Sequence, residues 1–520
     1  MDVDSQRAEW QTAISPSEVE KMPTAGLTEK RSEAHTEAGE LSLRNFLSQL
    51  EKEHPAEVLR ISRPVDPAQY EVAAILKHLE NRGKFPLVYF EQPKDLRGQI
   101  SSHPLVSNLF ASRERCALAL GMAVEQSGME LSLEYARRLK NPLAPVRIAP
   151  ADAPVKQVVA RGAECDLRNY PIVRHHEMDP APYIDMTPVM KHPDAGFYNV
   201  AFLRNMYKGP QRLGIHMSPR HNWQIFRLHE TRNLPTPVAI VVSHHPAFYL
   251  GALNVEPFGS DDYAVIGGIV GRPLRLVPSE TWGEQFWVPA DAELILEGEI
   301  PPGVREVEGP FGEFTGYYGP QRVRPVIDIK AVTHRRNAFV QHSFVGHRDN
   351  WFLGGIPKEG TVFNVVKGIV PSVKAVHFAQ SGSCRFNCYI SIDKKVNGET
   401  KQAALAAFGA VDFIKNVIVV DADIDPFNEQ EVMFAVATRT QARESVDIIK
   451  NVKGNTLDPS QQDDIMTDKL LIDATMPVGK PFSARVQVPA AALQKFPLEQ
   501  YVSASQLDSI ATFLDSRRSV

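Results

Sequence analysis

The sequence has few cysteines, no excess of basic residues and no long hydrophobic segment. Its 520 residues contain only four cysteines, too few for a disulfide framework, which favours a reducing, cytoplasmic compartment. Lys and Arg total 57 against 62 for Asp and Glu, and the formal net charge of -5 argues against a nucleic-acid partner. No apolar segment approaches the roughly 20 residues that a membrane span requires, and the first residues lack the pattern of a secretory signal.

The composition that is present, 43% hydrophobic and 23% charged, is typical of a globular protein, and the length predicts two to four domains. We predict a multi-domain α/β protein. Residues 41–160 alternate helical and strand-like segments, whereas 161–335 contain short strands separated by Gly, Pro and Asp, the pattern of a β-barrel or sandwich. Residues 336–480 return to an α/β pattern. Residues 1–40 are polar and predict a disordered tail, and 481–520 predict a terminal helix or tail.

Individual elements follow from the hydrophobic periodicity. Helices are predicted over 43–50, 72–79, 403–408 and 429–437. Strands are predicted over 58–61, 87–90, 198–203, 238–242, 274–277, 294–296, 326–329 and 417–420. Leu493, Phe496, Leu507, Ile510 and Leu514 are apolar positions of the terminal helix, which we expect to pack on a partner subunit.

The most distinctive segment is Glu308-Gly-Pro-Phe-Gly-Glu313. Its Gly and Pro residues cannot form regular helix, so a turn can bring the two carboxylates together. Paired carboxylates divide their pKa values, because burial or a like charge raises one while a cation lowers the other. Such a pair provides a neutral acid and an ionised partner at the same pH. The same pattern also fits a turn with two solvated glutamates, and spacing alone leaves both interpretations open.

A second set of polar residues includes the predicted strand over 198–203. On one strand, Asn199 and Arg204 would point to opposite faces. Arg204 suits a substrate carboxylate because its planar guanidinium makes two parallel hydrogen bonds, although an edge strand with a surface arginine fits equally well. Asn199, His221 and Asp262 offer an amide oxygen, an imidazole and a carboxylate, a mixed set that favours Mn²⁺ or Mg²⁺ over zinc. The spacing does not show that these three residues converge.

Two histidine pairs resemble metal ligands, His175-His176 next to Glu177 and His244-His245. Adjacent residues on a strand point to opposite faces, so neither pair easily chelates one ion. We therefore interpret both pairs as structural.

These segments, in this order, resemble the UbiD-type decarboxylases, the family that includes ferulic/phenylacrylic acid decarboxylase. The similarity runs from about residue 41 to about residue 480. The residues that carry it are 106–115, Asn199 to Arg204, His221, Asp262, 308–319, 415–423 and 437–439. The resemblance implies an N-terminal α/β domain, a central split β-barrel that binds a flavin, and a C-terminal α/β oligomerisation domain.

The resemblance also implies prenylated FMN as the cofactor, which a flavin prenyltransferase supplies. The implied cofactor-binding residues are Asn199, Val200, Ala201, Phe202, Leu203, Arg204, Arg220, His221, Asp262 and Lys415. Asn199, His221 and Asp262 would hold a Mn²⁺ (or Mg²⁺) on the cofactor phosphate. A K⁺ site would involve Val200, Ala252, Asn254, Asp262 and Arg439. Relatives usually have Glu at the position of Asp262, and Gln at the position of Arg220 in some cases.

The implied reaction is the reversible, non-oxidative decarboxylation of an aromatic or α,β-unsaturated acid. Arg204 would hold the carboxylate, and Glu313 would return a proton to the carbon that lost CO₂. Glu308 would orient Arg204 and influence the pKa of Glu313. Residues 344–353 would line the pocket, with Phe352 and Leu353 forming an apolar slot and His347 or Asp349 facing a polar ring substituent. Relatives form homodimers or hexamers built from dimers.

Two other functions remain open from the sequence. One is a metal-dependent hydrolase built on His221, Asp262 and the His175, His176 and Glu177 cluster, which would be colourless and active with metal alone. The other is a non-catalytic flavin-binding or assembly protein of the same fold. The intact set of Arg204, Glu308 and Glu313 argues against that second alternative.

Overall fold

The structure is a computed structural model that describes residues 41–461 and 465–509. The predicted disordered tail over 1–40 lies outside these residues, as do Ile510 and Leu514 of the predicted terminal helix. None of the helices within the described ranges combines the length and apolar character needed to cross a bilayer.

The helices and strands are numbered in chain order. The helices are α1 (Leu43–Glu53), α2 (Glu71–Asn81), α3 (Arg113–Ala119), α4 (Met129–Leu139), α5 (His221–Glu230), α6 (Pro246–Ala252), α7 (Asp262–Val270), α8 (Arg348–Ile369), α9 (Glu399–Ala410), α10 (Glu429–Arg439), α11 (Ala442–Ser445), α12 (Ala490–Lys495) and α13 (Ala504–Ser509). The strands are β1 (Val58–Ile61), β2 (Leu87–Phe90), β3 (Leu105–Ser107), β4 (Val146–Arg147), β5 (Val158–Arg161), β6 (Tyr183–Lys191), β7 (Tyr198–Val200), β8 (Leu203–Gly209), β9 (Arg212–Ile215), β10 (Thr236–Ser243), β11 (Arg275–Ser279), β12 (Gly283–Pro289), β13 (Leu294–Ile300), β14 (Arg305–Glu308), β15 (Phe311–Gly312), β16 (Tyr318–Gly319), β17 (Arg322–His334), β18 (Val340–Gln341), β19 (Val373–Phe378), β20 (Asn387–Ile392), β21 (Asn416–Asp421), β22 (Val446–Lys453) and β23 (Met466–Ala474).

A closed barrel of six strands occupies the middle of the chain, in the order β6, β10, β13, β17, β9 and β8. The barrel closes where β8 pairs with β6, and every pairing around it is antiparallel. The β-branched residues of β10 favour an extended strand, and its inner positions, such as Ile240, are fully buried. The central β-barrel predicted from the sequence is confirmed.

Two further sheets lie on either side of the barrel in the sequence. The N-terminal sheet has the order β1, β2, β3 and β18, and the C-terminal sheet has the order β19, β20, β21, β23 and β22. Segments cross the predicted domain limits, because β5 pairs with β17 of the barrel and β18 joins the N-terminal sheet. The limits predicted at 160 and 335 therefore fall within segments that the sheets share.

Two predictions about elements are wrong. Residues 198–203 do not form one strand, because β7 ends at Val200 and β8 begins at Leu203, so Asn199 and Arg204 belong to different strands. Their side chains are therefore not related by strand alternation. The described part of the C-terminal segment is not one helix but the short α12, a single 3-10 turn and α13, because Pro497, directly after the C-cap of α12, cannot donate a helical hydrogen bond.

Candidate active site

Arg204, Glu308 and Glu313 lie together in the interior. Arg204 donates from Nε and Nη2 to the two carboxylate oxygens of Glu308, at 2.9 and 2.8 Å, and from Nη1 to Glu313. The relative exposures are 6%, 0% and 9%, so the ion-pair cluster is shielded from water. The alternative of two solvated glutamates in a turn is therefore wrong.

Three elements bring these side chains together. Arg204 is the second residue of β8, where it is the register partner of Asp185 on the neighbouring strand β6. Glu308 ends β14, and Glu313 directly follows β15, in the connection between the two strands of the short hairpin that β15 and β16 form. The hairpin returns close to the cluster at Gly319, where a Cβ would lie 3.0 Å from Glu313 Oε1 and 3.1 Å from Arg204 Nη1. The glycine-rich sequence thus lets the backbone approach two charged groups.

The pKa values of the two glutamates are shifted in opposite directions. Burial opposes ionisation of Glu308, but a hydrogen bond with His216 and the charge of Arg204 outweigh it and lower its pKa. For Glu313, burial outweighs the charge of Arg204, and the neighbouring Glu308 charge adds to it, so its pKa is raised. The site therefore combines an ionised carboxylate, a cation and a carboxylic acid that keeps its proton to higher pH than a free glutamate.

His176 and Asp179, which precede β6, hold the hairpin of β15 and β16 in place. The sequence did not predict this role. Asp179 accepts hydrogen bonds from the backbone N–H groups of His176, at 2.9 Å, and Gly312, at 3.1 Å. The ring of His176 lies so close to Gly312 that a Cβ there would overlap it. His216 was also missed, although its ring lies 3.4 Å from Glu308. His216 lies 12 residues after Arg204 in the sequence. Asp179 lies 133 residues from Gly312, so no motif linked it or His176 to the hairpin.

A second polar group forms where β7, α5 and α7 meet. His221 Nδ1 lies 3.2 Å from Asn199 Oδ1, and Asp262 Oδ2 accepts the backbone N–H of Val200 at 2.7 Å. Asp262 Oδ1 accepts a hydrogen bond from Asn254 at 3.0 Å. The structure therefore brings together the residues that the sequence alone could not show to converge.

This group fits a divalent cation. Burial raises the pKa of Asp262 to about 7, and its two hydrogen bonds only partly offset that effect. A bound cation would supply the missing positive charge and keep the carboxylate ionised. An amide oxygen, an imidazole and a carboxylate are ligands that suit Mn²⁺ or Mg²⁺.

Comparison with known proteins identifies the family. The N-terminal, Rift-related and C-terminal domains of 3-octaprenyl-4-hydroxybenzoate carboxy-lyase match residues 47–133, 146–348 and 351–474. A curated relative, anhydromevalonate phosphate decarboxylase of Methanothermobacter thermautotrophicus, is 31% identical over 84% of this chain and 97% of its own length. The chain belongs to the UbiD family of carboxy-lyases. The resemblance seen in the sequence is confirmed, and so is the prediction of an enzyme.

Other UbiD proteins are equally similar. Phenolic acid decarboxylase of Sedimentibacter hydroxybenzoicus is 31% identical over 84% of this chain and 92% of its length. Among solved structures, the UbiD-class enzyme HmfF of Pelotomaculum thermopropionicum, in complex with FMN, superposes with a TM-score of 0.81 and 38% identity, over 89% of this chain and 100% of HmfF. An evolved dimeric form of HmfF was solved with prFMN.

The remaining residues predicted to bind the cofactor of this UbiD protein are more dispersed. Ala201 and Phe202 connect β7, which carries Asn199, to β8, which carries Arg204. Ala252 is the last residue of α6. Arg220 precedes α5 and forms an ion pair with Asp412 at 2.9 Å. For these residues, cofactor or metal binding stays a prediction.

Two predicted residues lie in the C-terminal region and are bound by carboxylates there. Lys415 forms an ion pair with Asp458 at 2.8 Å. Arg439 binds Asp421 and Asp423, each at 2.6 Å. The structure does not bring either side chain into contact with Asn199, His221 or Asp262. The predicted roles of Lys415 and Arg439 stay predictions.

The histidine pairs serve other purposes in the UbiD fold. Burial lowers the pKa values of His244 and His245 to about 3, so both are neutral. His175 contacts His342 at 3.1 Å and Asp185 at 3.3 Å, apart from His221 and Asp262. Within the described ranges, no cluster of three His, Cys, Asp or Glu residues suits a metal ion. Nothing in this arrangement favours the hydrolase alternative.

Proposed function

We propose that this enzyme reversibly decarboxylates an aromatic or α,β-unsaturated carboxylic acid with prenylated FMN as its cofactor. The observation that carries the proposal is the buried cluster in which Arg204 lies between Glu308 with a lowered pKa and Glu313 with a raised one. The phenolic acid decarboxylase relative supports an aromatic acid as the substrate.

Arg204 binds the substrate carboxylate in this proposal. Its Nη1 is directed toward Glu313 and is available to a second carboxylate when Glu313 moves aside, whereas Glu308 fixes Nε and Nη2. The orientation of the guanidinium is thus set before the substrate binds. Such preorganisation reduces the cost of aligning the scissile bond.

Glu313 holds the proton that replaces the lost carboxyl group. Its raised pKa keeps the side chain protonated at neutral pH better than a solvated glutamate, and exclusion of water protects that proton from exchange at the wrong step. In the direction of carboxylation, the same carboxylate accepts a proton from the substrate carbon.

Prenylated FMN, when bound, supplies the electron sink that stabilises the carbanion left by CO₂ loss. Asn199, His221 and Asp262 would hold a Mn²⁺ or Mg²⁺ that neutralises charge on the cofactor phosphate, and Asp262 with Val200, Ala252 and Asn254 would border a K⁺ site. The remaining predicted contacts are Ala201, Phe202, Leu203, Arg220 and Lys415. The chain acts on the bound group by orienting it and excluding water.

The partners follow from this proposal. A flavin prenyltransferase supplies the cofactor, and the enzyme assembles as a homodimer or as a hexamer built from dimers through its C-terminal domain.

The test uses the full-length chain co-expressed with a flavin prenyltransferase. We expect the wild type to release CO₂ from at least one member of a panel of aromatic and α,β-unsaturated acids. Glu313→Gln should lower kcat by about 10² to 10⁴-fold, the usual contribution of a positioned acid, while its visible flavin spectrum is unchanged. Glu306→Gln is the matched control, because Glu306 lies on β14 with Glu308 but pairs with Lys208 and Arg212 near the surface.

Full turnover by the flavin-loaded Glu313→Gln protein would refute the role of Glu313. A colourless protein that is active with metal alone would refute the decarboxylase proposal and favour the hydrolase. A flavin-loaded protein that releases no CO₂ from any acid in the panel would favour the non-catalytic alternative.

A further inference from the structure

Among the described residues, two buried cations near the candidate active site donate hydrogen bonds to backbone carbonyls and to no side chain. Lys358 and Arg385 are 7% and 6% exposed. Lys358 Nζ donates to the carbonyl of Gly354 at 2.9 Å. Arg385 Nη1 donates to the carbonyls of Trp351 and Cys384, each at 3.0 Å. No carboxylate forms an ion pair with either side chain within residues 41–461 and 465–509.

Buried charges are normally paired, because removing an ion from water is costly. The same helix α8 illustrates the rule, since the buried Glu359 forms an ion pair with Arg113 at 3.0 Å. Lys358 and Arg385 instead repel each other. Burial lowers the pKa of Arg385 to about 10, and burial together with the Arg385 charge places the pKa of Lys358 well below its ordinary value. The part of the chain that the structure describes provides no counter-ion for this pair.

The carboxylate of Asp412 does not fill that role, although its charge raises the pKa of Lys358. Its carboxylate binds Arg220 at 2.9 Å and Lys453 at 3.6 Å, so its charge is already shared between two other cations.

Both cations adjoin aromatic rings next to the proton donor. The guanidinium of Arg385 lies 5.4 Å from the ring centroid of Phe314, the residue after Glu313. Lys358 Nζ lies 5.7 Å from the ring of Phe413, and the rings of Phe314 and Phe413 are 5.5 Å apart in an edge-to-face arrangement. Trp351 Nε1 donates a hydrogen bond to the backbone carbonyl of Phe314 at 2.7 Å, which holds Phe314 in place. Positive charge and aromatic surface therefore meet beside the catalytic hairpin.

The backbone makes room for this arrangement. A Cβ at Gly354 would overlap the guanidinium of Arg385, so α8 accepts a glycine in its interior, at a cost of about 1 kcal/mol relative to alanine. Glycine at position 354 therefore lowers the stability of α8 and leaves space for the buried guanidinium of Arg385.

We propose that Lys358 and Arg385 form a second anion subsite, which binds a carboxylate carried by the substrate in addition to the one that is lost. This inference rests on the proposed decarboxylase function and makes its substrate class narrower, an aromatic dicarboxylic acid. Phe314 and Phe413 contact the ring, and the incoming carboxylate supplies the missing counter-charge. A monocarboxylic acid would leave both cations unpaired.

The experiment measures binding by calorimetry on full-length protein loaded with FMN, with benzene-1,4-dicarboxylate, its monomethyl ester and benzoate as probes. We expect the dicarboxylate to bind at least tenfold more tightly than either monoanion. Lys358→Met and Arg385→Gln should each reduce that preference at least tenfold, with benzoate affinity unchanged. Lys367→Met, an exposed lysine of the same helix, is the matched control and should retain the full preference.

Gly354→Ala provides a second variant, which displaces the Arg385 side chain while its charge is retained. It should also reduce the preference for the dicarboxylate. Circular dichroism and the flavin spectrum show whether each variant is folded and loaded.

Equal affinity of the wild type for the dicarboxylate and the monoanions would overturn the proposal. A loss of FMN affinity in Lys358→Met and Arg385→Gln, with the ligand preference intact, would also overturn it and assign the pair to the cofactor phosphate. If the enzyme releases CO₂ from monocarboxylic acids with the same kcat/KM as from the dicarboxylic acid, the subsite is refuted and the decarboxylase function stands. Preferential binding of the dicarboxylate without CO₂ release from any acid would refute the function and leave the subsite standing.

Discussion

Two glutamates five positions apart have opposite pKa shifts because their surroundings differ. Burial opposes ionisation of both. Glu308 receives two hydrogen bonds from Arg204 and lies beside His216, whereas Glu313 receives one from Arg204 and faces the Glu308 charge. The donors around Glu308 therefore outweigh its burial and lower its pKa, while the single donor to Glu313 does not prevent burial from raising its pKa.

Glu308→Gln is predicted to shift the alkaline limit of activity to lower pH. Glu313 acts in its protonated form, so activity is lost as pH rises through its pKa. Removing the Glu308 charge takes away a group that raises this pKa and leaves Arg204 to pair with Glu313 alone. Both effects lower the pKa of Glu313. The profile of kcat/KM against pH, which reports groups of the free enzyme, measures the shift.

Glu306→Gln serves as the control for that profile and should leave the alkaline limit in place. A shift to higher pH in Glu308→Gln, or no shift, would contradict the electrostatic coupling between the two glutamates.

Asp262→Asn is predicted to weaken Mn²⁺ binding by about tenfold or more, because a neutral amide replaces the one carboxylate of the group. Titration followed by electron paramagnetic resonance measures the free ion. Asp261→Asn is the matched control: Asp261 caps α7 through Ala264, and asparagine is an equally good cap. Equal Mn²⁺ affinity in Asp262→Asn and the wild type would remove Asp262 from the metal site.

At the scale of elements, the hairpin that carries Glu313 depends on a segment far away in sequence. Asp179 and His176 hold Gly312, and Gly346 approaches Glu313, where a Cβ would lie 3.0 Å from its carbonyl oxygen. The position of the acid is therefore set by the packing of three chain segments and not by the motif alone.

Gly312→Ala is predicted to lower kcat about 10²-fold while the protein stays folded. The added Cβ overlaps His176, so the hairpin must move, and a displacement of about 1 Å can cost that much in rate. Gly209→Ala, at the end of β8, is the control, since a Cβ there meets no atom within 4 Å. Unchanged kcat with unchanged flavin loading in Gly312→Ala would show that the His176 contact does not position Glu313.

The sequence could predict elements whose signals are local. The helical period of α1 and the β-branched residues of β10 needed no distant information. It could not predict the break after Val200, because Ala201 and Phe202 have no turn signature and the break follows from two different pairings of β6 with β7 and β8. Motif chemistry indicated Arg204, Glu308 and Glu313. The supporting residues Asp179, His176 and His216 depend on tertiary contacts that no spacing reveals.

At the scale of the whole molecule, the candidate site lies where barrel and C-terminal residues meet. The ring of Phe314 contacts Phe386 and Phe413, both from the C-terminal region, and Arg220 of the barrel binds Asp412. A change in how these two regions pack would alter the surroundings of Glu313. Assembly and activity are therefore expected to be coupled.

If the enzyme assembles as proposed above, removal of residues 481–520 is predicted to give monomers. The described part of this segment exposes apolar side chains, among them Val486 at 96%, Leu493 at 63%, Phe496 at 53% and Tyr501 at 64%. Several exposed apolar side chains in one short segment are typical of an interface with a partner subunit. Light scattering coupled to size exclusion measures the mass of the full-length chain and of the chain that ends at residue 480.

A chain that ends at residue 509 keeps every exposed side chain named above and is expected to retain the assembled mass. Leu493→Ser combined with Phe496→Ser tests the same surface without a truncation and should also give monomers, because serine removes apolar contact area but leaves the backbone intact. If the chain that ends at residue 480 keeps the mass of the full-length protein, subunit contacts lie elsewhere, and the exposed apolar segment has another partner.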